Sequence, residues 1–378
     1  MRRYTVLIYC SKEVLFMHMA DALLAPAVAA TMYVASGTAA GISISKLKKE
    51  DNPQKLPVMA VTAALVFAGQ MINYTIPGTG SSGHLCGGMM LSALLGPEAG
   101  FLSMIVILAI QCLFFADGGL MALGANVWNM GFYGCFVGYY LIWRPLMRSK
   151  LFSGMGQKKA LNCRIILASV LGCVITLQLG AFSVVIETSL SGITELPFGA
   201  FSALMLPIHL AIGLVEGLIT SAVLVFISQT RPEMLKEVSS ADAHPAGGEK
   251  SLKSVLVILG ATALVVGGGL SLLASSSPDG LEWSLFGNQE AGYSENMGLD
   301  EENFGLSGSV SEAAASVQEK TAFLPDYSFS NSESAAGTTV SGIVGALLVA
   351  LAAVLICFAG KLFRKKSDKN EYNRSVTA

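Results

Sequence analysis

The chain has 378 residues, of which 53% are hydrophobic and only 13% charged, and its mean hydropathy is +0.59. This composition is typical of an integral membrane protein and excludes an ordinary soluble domain. The formal net charge is −2, and no basic, aromatic-rich surface suggests a nucleic-acid partner. The seven cysteines include no CxxC pair, so no disulfide framework is predicted.

Residues 1–16 hold a short apolar run that is too brief to span a membrane and has no signal-cleavage pattern ahead of Met17. We expect this segment to be a mis-assigned start or a disordered extension. The residues 12–14, Lys-Glu-Val, can be encoded by a bacterial ribosome-binding sequence, which favours translation from Met17.

Met17 and His18 form a pair suited to chelating a transition metal if Met17 is the first residue. The Met17 amine, the His18 amide nitrogen and the His18 ring nitrogen would close fused five- and six-membered rings on one ion. His84, at the end of the glycine-rich loop 78–84, would supply a fourth nitrogen. Square-planar nitrogen donors suit Ni(II) or Cu(II), and because the donors must be deprotonated, binding should weaken in acid. The predicted metal ligands are therefore Met17, His18 and His84.

Apolar stretches follow one another along the chain, and a membrane crossing needs about 20 apolar residues. The predicted spans are 25–46, 56–75, 83–96, 98–115, 120–142, 161–186, 200–228, 253–274 and 340–362. The stretch 83–96 is short, so we expect it to be tilted or partly re-entrant beside a cavity. The predicted fold is an all-α integral membrane protein, with a seven-span helical bundle, two further spans and a long outer loop.

Basic residues recur in alternate loops and in the tail, within 46–55, 144–164, 231–253 and 361–369. The other loops are acidic or neutral. By the positive-inside rule the basic segments are cytoplasmic. This orientation places Met17, His18 and His84 on the outer side of the membrane.

Other polar residues have less specific interpretations. Asp21 either orients the neighbouring ligand histidine or caps the helix that follows. His209 is placed to pair with Glu216 two turns on, as a structural hydrogen bond, and a role in the transport path is the less favoured alternative. Helix capping or interhelical bonding accounts for Asp117, Asn126 and Asn129.

Four segments of the chain, 17–26, 70–85, 114–120 and 124–131, resemble the NikM/CbiM family. Its members are the substrate-capture components of energy-coupling-factor nickel and cobalt importers. The resemblance implies that Met17, His18 and His84 hold the ion. It also implies two kinds of partner, a transmembrane coupling component and cytoplasmic ATPase subunits. The chain has no GxxxxGK[ST] loop, so ATP hydrolysis would fall to those partners.

The C-terminal third has its own resemblance. Residues 278–283, Pro-Asp-Gly-Leu-Glu-Trp, lie between an apolar span and a long outer loop and resemble the PDGLE segment of small NikN-type components. We therefore predict a natural fusion joined by a polar, breaker-rich linker. The predicted divisions are 1–16, a metal-capture domain 17–230, a linker 231–252, a PDGLE domain 253–365 and a cytoplasmic tail 366–378.

The predicted function is that of the substrate-specific membrane component of an ATP-driven importer for nickel or cobalt, not an enzyme. The ion is the transported substrate, and no permanently bound cofactor is expected. Ligand identity does not separate the two metals. The all-nitrogen site and the PDGLE-type segment favour nickel. The predicted location is the bacterial inner membrane, in contact with lipid.

Two functions of other classes stay open. Residues 80–83 fit the GxSG of intramembrane serine proteases, with Ser82 as nucleophile and His209 as base. A metal sensor or scaffold that does not transport would require activity without an ATPase partner.

Overall fold

The computed structural model describes residues 18–48, 50, 55–238, 251–288, 292, 305–329 and 336–355. The predicted extension 1–16, Met17, most of the predicted linker and the predicted tail lie outside the described residues. The helices are α1 (Pro26–Leu47), α2 (Lys55–Gln70), α3 (Gly88–Leu95), α4 (Pro97–Phe115), α5 (Leu123–Asn126), α6 (Arg144–Arg148), α7 (Gln157–Leu190), α8 (Phe198–Thr230), α9 (Leu252–Gly268), α10 (Gly280–Phe286), α11 (Ser309–Thr321) and α12 (Ala336–Leu355).

A π-helix, Val127–Trp143, joins α5 and α6 into one continuous rod. Two short strands, β1 (Tyr74–Ile76) and β2 (Ser81–Gly83), pair antiparallel in the loop between α2 and α3. Apart from this hairpin the described chain is helical or irregular, which confirms the predicted all-α membrane class.

Five of the described helices, α1, α4, α7, α8 and α12, are long and apolar enough to cross a membrane. Helices α2 and α9 are apolar but shorter. The nine crossings therefore stay a prediction. The stretch 83–96 holds only α3, whose 8 residues are all buried. At 1.5 Å per residue α3 rises roughly 12 Å, so it crosses only part of the bundle.

Ion pairs and hydrogen bonds bring several helix ends together at one end of the bundle. Lys46 bonds to Glu98 at 2.7 Å, and Arg148 bonds to Glu237 at 2.6 Å. Exposed ion pairs of this kind contribute about 0–1 kcal/mol to the free energy of unfolding. They show that these helix ends are close together but add little stability. We call this the basic end, defined by Lys46, Arg148 and Lys236. The glycine-rich loop and the start of α5 lie at the other end.

The C-terminal helices pack into the same core as the rest of the chain. At the crossing of α9 and α12, a Cβ on Gly342 would overlap the carbonyl group of Gly267. Small residues allow such close backbone approach between membrane helices. A Cβ on Gly345 would likewise overlap the ring of Phe67, which is fully buried. Helices α9 and α12 are thus packed against α2 and α4.

Candidate metal centre

His18 is buried, with 3% of its surface exposed, and the segment that follows it is fixed by backbone contacts. The Met19 amide donates to Oδ1 of Asn126 at 3.1 Å, and Nδ2 of Asn126 donates to the Met19 carbonyl at 3.1 Å. The Gly119 amide donates to the same carbonyl at 3.0 Å. Both backbone groups of Met19 are therefore hydrogen-bonded, and these bonds fix the segment that follows His18.

Two consecutive glycines make room for this segment. Gly118 has φ +79°, a left-handed conformation that favours glycine, and a Cβ there would lie 2.8 Å from Cβ of His18. A Cβ on Gly119 would overlap the carboxylate of Asp21. The Asp-Gly-Gly sequence 117–119 is thus required by the close approach of residues 18–21.

Asp117 holds the imidazole of His18. Nδ1 of His18 donates to Oδ1 of Asp117 at 2.7 Å, while Nε2 of His18 is buried and has no hydrogen-bond partner among the described residues. A carboxylate that bonds to one ring nitrogen and leaves the other directed at a site is the usual arrangement around a metal-binding histidine. In this ring orientation, Nε2 is the nitrogen of His18 that is open to a cation.

The charges of His18 and Asp117 stabilise each other. Burial lowers the pKa of His18, but the charge and hydrogen bond of Asp117 outweigh it, so the pKa is raised above its ordinary value. Burial raises the pKa of Asp117, but the charge of His18 and the hydrogen bonds of His18 and Tyr327 outweigh it, and the pKa is lowered. Asp117 is therefore a carboxylate, and the ion-free pair favours the protonated ring.

His84 follows directly after β2 and faces His18. The centroids of the two rings lie 5.4 Å apart, with 52° between the ring planes. Transition-metal to histidine-nitrogen distances are roughly 2 Å, so both rings can reach one ion between them. Nδ1 of His84 donates to the Leu85 carbonyl at 3.1 Å. The fold thus brings together the two described residues of the predicted ligand set.

The C-terminal region forms one wall of this centre. The Ser82 amide and hydroxyl donate to the carbonyls of Pro278 and Ser277, each at 2.7 Å. A cavity of about 100 Å³ opens between the two regions and is lined by His18, His84 and Asp279 among others. A water molecule occupies about 30 Å³ of liquid, so the cavity has room for an ion.

Asp279 caps α10 at this wall. Its Oδ1 accepts from the amides of Leu281 and Glu282 at 2.9 and 2.8 Å. Burial raises the pKa of Asp279, and the nearby charges of His84 and His18 partly oppose that effect. Sequence reasoning identified the PDGLE segment but did not place this carboxyl beside the histidines.

The described residues hold no group of three or more His, Cys, Asp or Glu side chains arranged to bind an ion. The predicted site has only two such side chains, because its other donors are backbone and amine nitrogens. The predicted chelate has a geometric requirement, because its six-membered ring closes through Nδ1 of His18. Nδ1 is bonded to Asp117, so that chelate forms only if the imidazole turns over and gives Nε2 to Asp117.

Several interpretations from the sequence are wrong in detail. Asp21 does not cap α1, whose N-cap residue is Ala25, and its Oδ1 instead accepts from the Ala122 amide at 2.9 Å. Asp117, given only a capping or interhelical role, is the residue that orients His18. The sequence signal for it was its place in the Phe-Ala-Asp-Gly-Gly segment 115–119.

His209 and Glu216 do not pair. Nδ1 of His209 donates to the Met205 carbonyl at 2.8 Å, and Glu216 accepts from the amides of Cys86 and Gly87, both at 2.9 Å. Glu216 therefore holds the backbone that follows His84, while His209 lines the cavity.

The protease arrangement is not formed either. The hydroxyl of Ser82 donates to a backbone carbonyl, as described above, and the Ser82 side chain is fully buried. His209 bonds to a different carbonyl, so the predicted nucleophile and base are not engaged with each other.

Comparison with known proteins adds independent findings. Residues 18–234 match the family described as the CbiM cobalt uptake substrate-specific transmembrane region, and residues 253–362 match the PDGLE domain. A protein of Archaeoglobus fulgidus named "Putative fused nickel transport protein NikMN" is 32% identical over 88% of this chain and 95% of its own length. The fused nickel transport protein NikMN of Rhodobacter capsulatus is 29% identical over 88% and 95%. The crystal structure of a truncated transition metal transporter is 30% identical, covers 56% of this chain and 97% of its own, and has a TM-score of 0.47.

Proposed function

We propose that His18 and His84 capture the ion that this chain transports. The chain belongs to the CbiM family of cobalt uptake transmembrane proteins and carries a PDGLE domain. The chain is a nickel or cobalt transport component and not an enzyme. The site assignment rests on the positions of the two imidazole rings, which face each other with their centroids 5.4 Å apart although His18 and His84 are distant in the sequence. His18 also has a buried ring nitrogen, Nε2, that none of the residues in the described ranges hydrogen-bonds.

The full donor set that we propose is Met17, His18 and His84. The Met17 amine and the amide and ring nitrogens of His18 would bind three positions of the ion, and His84 the fourth. Nickel is the favoured substrate because four nitrogen donors in a plane suit it well. Asp117 then accepts the hydrogen bond of the His18 ring nitrogen that faces away from the ion.

The proposed orientation puts the metal centre outside the cell and the basic end in the cytoplasm of a bacterium. Support comes from the charges, because Lys46, Arg148 and Lys236 share one end while the two histidines lie at the other. A transmembrane coupling component and cytoplasmic ATPase subunits would dock at the basic end and drive the ion inward. The division into a metal-capture domain 17–230, a linker 231–252 and a PDGLE domain 253–365 is part of the same proposal.

Nickel titration of the purified protein that starts at Met17, by calorimetry in detergent, tests the site. His18→Ala and His84→Ala should each abolish measurable nickel binding, because each removes a ring nitrogen from a four-donor set. His244→Ala, which removes a histidine of the predicted linker, is the matched control and should bind as the parent does. Unchanged affinity in both site variants would overturn the assignment.

A further inference from the structure

Tyr327 lies in the short turn Pro325–Tyr327 between α11 and α12, far along the chain from the histidines. It is buried, and its ring stacks on Phe115 with centroids 4.8 Å apart and 18° between planes. Its hydroxyl donates to Oδ2 of Asp117 at 2.6 Å. The PDGLE region therefore reaches the carboxylate that orients His18.

Both oxygens of Asp117 are engaged, each on a different side. Oδ1 accepts from Nδ1 of His18 at 2.7 Å, and Oδ2 accepts from Tyr327. Asp117 follows the left-handed residue Ala116 just after α4, and its amide bonds to the Gln111 carbonyl at 3.1 Å. With the backbone fixed in this way, the hydroxyl of Tyr327 sets the rotation of the carboxylate.

A second residue of the same region holds the loop beside Asp117. Nε2 of Gln318 donates to the Gly118 carbonyl at 2.8 Å, and its Oε1 accepts from the Leu120 amide at 3.3 Å. Gly118 is the residue against which His18 packs. Two side chains from the C-terminal region thus fix the loop that positions the ligand histidine.

We propose that Tyr327 is a positioning residue for metal capture, acting on His18 through Asp117. The inference rests on the proposed function, since it assumes that His18 binds the ion. The hydroxyl holds the carboxylate in the plane of the imidazole. When the ring turns over to form the chelate, Nε2 of His18 donates to this same carboxylate and Nδ1 is directed at the ion. The PDGLE region then contributes a group to the site of the CbiM region rather than merely packing beside it.

Tyr327→Phe separates the hydroxyl from the packing, because the phenylalanine ring keeps the stacking on Phe115. In nickel titrations of the protein that starts at Met17, the dissociation constant should rise about 3–10-fold, less than the roughly 10–100-fold effect of losing a residue bonded directly to a ligand, because Tyr327 acts through Asp117. The visible absorption band of bound nickel should keep its wavelength, because the donor atoms are the same. Tyr133→Phe is the control, since it removes a hydroxyl bond to Ser183 at 2.8 Å and leaves both bonds to Asp117 in place.

A double-mutant cycle tests the route through Asp117. Tyr327→Phe should have no further effect on nickel affinity in the Asp117→Ala background. An additive effect would overturn the proposed route, and an affinity within twofold of the parent for Tyr327→Phe alone would overturn the positioning role.

The failure of this inference can be told from the failure of the proposed function. If His18→Ala abolishes binding while Tyr327→Phe binds as the parent does, only the role of Tyr327 is overturned. If His18→Ala also binds as the parent does, the site assignment fails and the role of Tyr327 fails with it.

Discussion

Asn126 pairs its side-chain amide with both backbone groups of Met19, at 3.1 Å in each direction. These two hydrogen bonds tie the segment after His18 to the first turn of the rod that begins with α5. The Met19 carbonyl also accepts from the Gly119 amide. The Met19 amide donates to Oδ1 of Asn126 and, within the described residues, has no other acceptor. Among the described residues, the Met19 amide therefore depends on this one side chain for its acceptor.

Asn126→Ala should therefore weaken nickel binding about 10–100-fold. It leaves the buried Met19 amide without its acceptor, at a cost of about 1–3 kcal/mol, and loosens the segment that carries His18. Asn126→Asp keeps the acceptor for the Met19 amide and loses the donor, so its affinity should fall between the two. Calorimetric titration of the three proteins measures this order, and an alanine variant that binds as the parent does would contradict it.

Gly118→Ala should abolish nickel binding and lower the melting temperature. A left-handed alanine costs about 1–2 kcal/mol, and its Cβ would also press on His18. Gly192→Ala is a matched control, because Gly192 has nearly the same φ, +78°, and no atom of the part of the chain that the structure describes lies within 4 Å of the place that its Cβ would take. The control should lose some thermal stability but keep its nickel affinity. Equal affinities in the two variants would show that the contact with His18 is unimportant.

Nickel affinity should rise with pH through the titration of His18. The raised pKa of His18 means that the ion-free ring keeps its proton to a higher pH than an isolated histidine, whose pKa is about 6.5. The ion needs the neutral ring, so protons compete with it on the acid side. Asp117→Asn removes the charge that raises this pKa and should shift the midpoint of the affinity profile to lower pH. Titrations at a series of pH values measure the midpoint, and a shift to higher pH would contradict this account.

Ser82→Ala should leave nickel affinity within about threefold of the parent. The change removes one buried hydrogen bond to the Ser277 carbonyl, a contribution of about 1 kcal/mol, and no metal donor. The backbone bond from Ser82 to Pro278 stays, so the loop keeps its contact with the PDGLE segment. A variant that kept metal uptake and lost a peptide-cleaving activity of the parent would instead revive the protease interpretation.

The role of the Met17 amine can be measured by comparing two proteins, one that starts at Met17 and one that keeps residues 1–16. The shorter protein should bind nickel more tightly, because only a free amine can close the five-membered ring with the His18 amide. Acetylation of the Met17 amine should remove the difference. Equal affinities without acetylation would mean that the donors lie elsewhere.

Much of the fold followed from local pattern. The predicted stretches 98–115 and 200–228 match α4 (Pro97–Phe115) and α8 (Phe198–Thr230) closely, since apolar length is a property of each segment. The stretch 56–75 ran too far, because α2 ends at Gln70 and the chain turns into the hairpin that carries the glycine-rich loop. Apolar composition alone does not mark where a helix gives way to a loop that enters the bundle.

The sequence by itself determined the membrane class, the two joined regions and the histidines of the candidate site. Each of these depends on composition or on a short motif, so a few neighbouring residues suffice to predict it. The tertiary structure decided which groups surround His18. Asp117 and Tyr327 are separated by 99 and 210 positions from the residues they bond, His18 and Asp117. Contacts over such distances arise only when α4 and the C-terminal turn pack together, because side-chain hydrogen bonds depend on geometry that local spacing does not encode.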